Sequence, residues 1–188
     1  NAKGVEVMGS IGGYRGMIHD ELIPLTNRDV SNKIQLSGTF LYSDRCLEFK
    51  EESGMQKAIA TLKKHEIDGV VAIGGDGTFR GATDLSMRGI PTIGLTGTID
   101  NDITSTESTI GFDTAMNTVL DMVGALRETC ESHARCNIIE VMGRECGMIA
   151  LYAGIAAGAV AIAIPEFDFD EELFEGFPGI VTFALDGK

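Results

Sequence analysis

Three aspartates stand in short polar stretches that each follow an apolar run. Asp76 lies in Gly74-Gly75-Asp76-Gly77-Thr78, and Asp100 and Asp102 lie in Thr98-Ile99-Asp100-Asn101-Asp102. Two carboxylates two residues apart repel each other, unless a metal links one or one is poised as a base. A carboxylate within hydrogen-bond reach of a hydroxyl can take its proton while the oxygen attacks phosphorus. Glycines beside a helix start let backbone N–H groups approach a phosphate. A carboxylate there repels bare phosphate, but it is useful if it holds a Mg²⁺ that the phosphates share. The GGDGT stretch equally suits a turn with Asp76 as helix N-cap.

The elements that must position these residues follow from periodicity. Val5–Ser10, Gly69–Ile73, Pro91–Leu95, Asn137–Met142 and Val160–Ile164 have strand length and apolar character. Met55, Ala58, Ile59 and Leu62 recur at helical spacing, as do Phe112, Ala115, Met116, Val119, Met122, Val123 and Leu126. Short helices are expected over 79–87 and 147–157. Apolar strands alternating with helices predict an α/β, doubly wound fold with mostly parallel sheets, strands hidden on both faces, and flanking helices. In such folds ligands bind beyond the carboxyl ends of strands. The stretches 74–78, 96–102 and 142–147 all fall there. The helix over 111–133 predicts a joint between two lobes, 1–111 and 112–188.

Composition narrows the partners. The 188 residues carry 15 Lys and Arg against 28 Asp and Glu, a net charge of −13. That balance disfavours nucleic-acid and anionic-membrane partners. No apolar run approaches the ~18 residues of a membrane span. Cys46, Cys130, Cys136 and Cys146 form no CxxC pair, and His19, His65 and His133 lie far apart, so reduced thiols in a cytoplasmic protein are expected.

In combination, GTF-LYSDR (38–45), IGGDGT (73–78), GTIDND (97–102), TIGFDTA (109–115), Arg135 and EVMGREC-G (140–147) resemble the bacterial type of ATP-dependent 6-phosphofructokinase. The resemblance runs from about Gly4 to Glu172. It implies a two-lobed fold, cytoplasmic glycolysis and transfer of phosphate from Mg-ATP to the C1 hydroxyl of fructose 6-phosphate. By this resemblance Asp100 is the general base, Asp76 the Mg²⁺ position, and Asp102 the residue that orders the metal's water. Tyr14, Arg45, Cys46, Gly75, Asp76, Gly77 and Thr78 match ATP contacts, with Arg45 meeting the transferring phosphate. Thr98, Ile99, Asp100, Met142, Gly143 and Arg144 match sugar contacts. Arg135 matches an arginine that reaches the sugar phosphate of a neighbouring subunit, which implies a homo-oligomer, a tetramer in the family.

Gly77 and Gly97 stand where pyrophosphate users carry Asp and Lys, which favours ATP as donor. Arg127 matches one residue of the family's allosteric site. Asn27, Asn32 and Val160 depart from it, so altered regulation is expected. The upstream phosphate loop and the later sugar-binding residues of the family are absent from the sequence. The chain alone is therefore expected to be inactive. Three other readings compete: a truncated non-catalytic interaction piece, a pyrophosphate-dependent enzyme, and a lipid or NAD kinase, which explains GGDGT but not TIDND.

Overall fold

A computed structural model describes residues 4–133, 135–168 and 180–184. The chain divides into two compact units, Asn1–Ala72 with Phe79–Gly94, and Ile73–Thr78 with Leu95–Lys188.

The first unit opens with a hairpin-like pair. Strand β1 (Val7–Ser10) runs antiparallel to β2 (Leu22–Leu25), with Val7 opposite Leu25 and Ser10 opposite Leu22. Helix α1 (Tyr14–Ile18) lies between them in sequence. The short α2 (Asn27–Val30) is held by a reciprocal cap, in which Asp29 accepts from the Thr26 backbone N–H at 2.8 Å and from its hydroxyl at 2.6 Å. A 3₁₀ turn at Leu47–Lys50 leads into α3 (Glu52–Lys64). The helical spacing of Met55, Ala58, Ile59 and Leu62 is realised as the buried face of α3. These side chains pack with Met17, Ile18, Phe49, Val70, Leu85 and Ile90 into one core. Burying each large aliphatic side chain there contributes about 1.5–3 kcal/mol.

Three elements run from one unit into the other along the sequence: β3 (Val70–Gly74), α4 (Asp76–Met87) and β4 (Thr92–Thr96), with β3 and β4 paired. Helix α4 starts at Asp76, three residues earlier than expected, so Asp76, Gly77 and Thr78 form its first turn. The strands are not covered on both sides. Val70 and Ala72 are buried, whereas Val71, Ile73 and Ile93 are each more than half exposed. The first face meets the core built on α3 and α4. Among the described residues no layer covers the second.

The second unit holds α5 (Phe112–Ser132), β5 (Asn137–Val141), α6 (Met148–Ala157), β6 (Ala161–Ala163) and β7 (Ile180–Ala184). The three strands are parallel in the order β5-β7-β6. Phe112, Val141, Ile149 and Ala150 form its main core, with Ile99, Met116 and Ile162 against it. Phe112 meets Tyr152 edge to face at 5.7 Å. Gly158 ends α6 in the left-handed conformation, φ 65°, where an L side chain is strained. Both units are thus α/β, with helices flanking sheets. Strand β1 lies within the expected Val5–Ser10 run, whereas its antiparallel partner β2, the β7 strand and the helices α1 and α2 are additions to the elements read from periodicity. Among the described residues no helix is long and apolar enough to cross a membrane.

Candidate active site

The candidate residues fall in both units, and each set is described within its own.

In the second unit, β3 ends in Gly74, and the turn at Gly75 starts α4. The Thr78 N–H bonds the Gly75 carbonyl at 3.0 Å, which closes the first turn on itself. A Cβ at Gly75 would stand 3.5 Å from Cβ of Thr98, so the phosphate-type loop and the start of the aspartate loop are neighbours. Gly97 binds them more closely. Its N–H donates to the Gly74 carbonyl at 3.0 Å, and a Cβ there would be 2.9 Å from Ile73 Cγ2. At Gly77, by contrast, a Cβ would meet nothing within 4 Å.

The aspartate loop is held by its backbone groups, paired with one another and with neighbouring side chains. The Asp100 N–H donates to Thr98 Oγ1 at 3.2 Å, and the Thr109 N–H donates to Asn101 Oδ1 at 2.8 Å. The Ile110 and Gly111 N–H groups bond the carbonyls of Thr96 and Thr98 at 3.0 and 3.1 Å. Asn101 adopts φ 58°, a left-handed conformation that asparagine tolerates better than most residues. Behind it Thr109 is almost fully buried, and its Oγ1 has no hydrogen-bond partner among the described residues.

Asp100 is half-buried in this loop. Burial pushes its carboxyl above the ordinary aspartate range, and the charge of Asp102 pushes the same way. The Arg144 guanidinium and the Thr98 hydroxyl pull it part of the way back. A carboxyl raised in this manner is a better proton acceptor than a free aspartate. Arg144 is exposed and sits at φ 56° in the loop after β5, between an exposed Met142 and a buried Gly143 on one side and Cys146 on the other. The structure therefore brings Thr98, Ile99, Asp100, Asp102 and Arg144 together with Gly75. It places Asp76 at the helix start, exposed. Arg135 is exposed just before β5, and its N–H bonds the Cys130 carbonyl at 3.0 Å. The Arg127 guanidinium donates to the Ala157 carbonyl and so closes the C-terminal end of α6.

In the first unit, Tyr14 stacks on Phe49 with ring centroids 4.0 Å apart and 11° between planes. Burial, with a smaller push from Asp84, raises its phenol to about 12, so it is neutral at physiological pH. Cys46 packs at the margin of the core, and Arg45 is exposed. Periodicity gave no sign of Arg15, which spans Glu21 at 2.9 Å and Asp44 at 3.1 Å and so ties the irregular stretch before Arg45 to α1.

For a metal, the donor set is oxygen only. Among the described residues no three His, Cys, Asp or Glu side chains converge on a point that could hold an ion. One or two carboxylates beyond strand ends do fit Mg²⁺, which keeps several waters and is held by one or two carboxylates plus substrate phosphates.

A family profile described as Phosphofructokinase matches residues 1–177. The chain belongs to the phosphofructokinase family. It is 53% identical over 169 residues to ATP-dependent 6-phosphofructokinase 1 of Clostridium perfringens, covering 90% of this chain and 53% of that protein. An ATP-dependent 6-phosphofructokinase of Clostridium botulinum is 52% identical over 170 residues, with the same coverage. Among solved structures, the T-state phosphofructokinase of Pichia pastoris superimposes with a TM-score of 0.85 at 31% identity, over 97% of this chain and 23% of that one. The chain thus spans about half the length of the curated relatives it matches.

Proposed function

We propose that the protein transfers the terminal phosphoryl group of Mg-ATP to the C1 hydroxyl of fructose 6-phosphate, as a cytoplasmic glycolytic phosphotransferase. One observation carries the reading. Asp100, its carboxyl raised by burial and by Asp102, lies beside Arg144 in a loop that borders the Gly75 turn. A proton acceptor beside a phosphate-type turn is what attack of an alcohol on phosphorus requires.

In this reading Asp100 accepts the proton of the attacking hydroxyl. Thr98, Ile99, Met142, Gly143 and Arg144 hold the sugar, and Arg135 reaches the sugar phosphate of a neighbouring copy in a homotetramer. Gly75, Asp76, Gly77 and Thr78 receive the ATP phosphates, with Tyr14, Arg45 and Cys46 completing the nucleotide contacts. Asp76 is the residue that holds Mg²⁺, and Asp102 orders its water. When bound, the ion neutralises charge on the transferring phosphate. Residues 1–111 serve the nucleotide lobe and 112–188 begin the sugar lobe. With Arg127 engaged at the end of α6 and Val160 in place of a carboxylate, allosteric activation is weak.

Donor choice tests the reading. The full-length protein is assayed for fructose 1,6-bisphosphate with Mg-ATP and with pyrophosphate. ATP is expected to support turnover and pyrophosphate is not. Faster turnover with pyrophosphate overturns the donor assignment, and no product with either donor overturns the reaction. A pyrophosphate enzyme is disfavoured by residue identity, since Gly77 and Gly97 stand where the resemblance places Asp and Lys in pyrophosphate users.

A further inference from the structure

Glu166 lies just past β6, far in sequence from the aspartate loop, yet it is bound into the same unit. Its Oε1 accepts the N–H of Gly147 at 2.8 Å. Gly147 is the N-cap residue of α6 and has no side chain with which to cap the helix itself. A carboxylate from elsewhere therefore occupies the position where the first orphan donors and the positive end of the helix favour an anion. The fit is tight. A Cβ at Gly147 would stand 2.6 Å from Glu166 Oε2 and 2.4 Å from Ile164 Cβ.

The preceding residue makes the second tie. Cys146 Sγ donates to the Asp100 carbonyl at 3.0 Å, and the Cys146 N–H bonds the Gly143 carbonyl at 2.9 Å. Burial raises the thiol, the Met148 backbone N–H pulls it part of the way back, and Glu166, Asp102 and Asp100 add to the rise, which keeps the S–H bond intact as a donor. Between these ties stands Arg144, in a left-handed conformation that a non-glycine residue holds only when its surroundings enforce it.

We infer that Glu166 and Cys146 are positioning residues: Glu166 anchors the 143–147 turn through the Gly147 N–H, and Cys146 hangs the Asp100 backbone from that turn. Glu166 thereby fixes where Arg144 stands and holds the base-bearing loop against it, without touching substrate. The inference rests on the proposed reaction for its kinetic consequence, but the clamp itself can be read without catalysis.

Two measurements on the full-length protein test it. The first is alkylation of Cys146 by iodoacetamide, followed by mass spectrometry. Losing a hydrogen bond to a charged group frees the turn, so Glu166→Ala is expected to speed alkylation about tenfold. Glu166→Gln keeps an accepting oxygen and is expected to stay within about twofold of wild type. Equal rates in all three proteins overturn the clamp. The second is kinetics. Glu166→Ala is expected to raise the KM for fructose 6-phosphate about tenfold with the KM for ATP unchanged, Glu166→Gln to restore it, and Cys146→Ser, whose hydroxyl still donates, to raise it less than Cys146→Ala does. A parallel rise of both KM values with a fall in melting temperature, without rescue by Gln, is a merely structural effect and overturns the positioning role. If wild type fails to phosphorylate the sugar while the alkylation pattern holds, the clamp stands and the proposed reaction falls.

Discussion

Replacing Asp100 by Asn separates chemistry from structure, because almost nothing that holds the loop uses the carboxylate. The Asp100 N–H bonds Thr98 and its carbonyl accepts from Cys146, while Asn101, Ile110 and Gly111 supply the remaining ties. An isosteric amide leaves all of these in place. In the proposed reaction what is lost is proton acceptance, which contributes about 10²–10⁴-fold in general-base catalysis, or about 3–5 kcal/mol of barrier. Stability should move the other way. The folded-state pKa of Asp100 is raised. The stability this carboxyl contributes is therefore full below its unfolded pKa and is lost as pH rises through the raised folded value. At neutral pH the ionised group destabilises the fold, and Asn removes that cost. The same shift moves the acid limb of kcat/KM above the ordinary aspartate range, since the base must be ionised to act. The assay is ADP release with fructose 6-phosphate across pH, alongside thermal unfolding of both proteins. A kcat within tenfold of wild type, or a lower Tm for Asp100→Asn at neutral pH, refutes the reasoning.

Three further perturbations follow from the packing. Gly77→Asp enters open space in a helix turn, so stability should change by less than about 1 kcal/mol while the KM for ATP rises by about tenfold or more through like-charge repulsion; an unchanged KM places the phosphates elsewhere. Gly147→Ala forces a methyl against the root of the Ile164 side chain and should cost about 1–3 kcal/mol in denaturant unfolding, and a neutral result would mean that the turn yields. Thr109→Val should be neutral or stabilising by up to about 1 kcal/mol, because the buried hydroxyl has no partner among the described residues, and a loss above about 2 kcal/mol would reveal one.

Much of this arrangement was legible in the sequence because its period is short. The buried face of α3 is the Met55, Ala58, Ile59 and Leu62 stripe, and β3 and β4 are bounded by the glycine-bearing turns that follow them. Periodicity fails where burial depends on what lies opposite. The run Gly69–Ile73 reads as doubly covered, but only alternate residues are buried, since apolar character does not say whether a second layer exists. β2 was missed because Pro24 sits within four residues of Leu-Ile-Pro-Leu, and a proline inside so short a run speaks against a strand. In the candidate site, Asp100 and Asp102 were conspicuous through local spacing. Glu166 and Arg15 were not, because each acts on a residue many positions away, and no local pattern encodes such a meeting.

The β5-β7-β6 order has a consequence for how the second unit is made. The middle strand is the one latest in sequence. Asn137–Val141 must wait for Ile180–Ala184, 43 residues on, before either of its ladder edges on that side is satisfied. β6 waits for the same segment. On the ribosome, β5 and α6 emerge and can collapse while the slot between β5 and β6 is still empty. Until it fills, both strands offer open edges that pair as readily with another nascent chain as with their own. Closure of a long loop slows that step, so assembly of this sheet should be rate-limiting for the unit. A nascent chain stalled before residue 180 would be the species most in need of a chaperone.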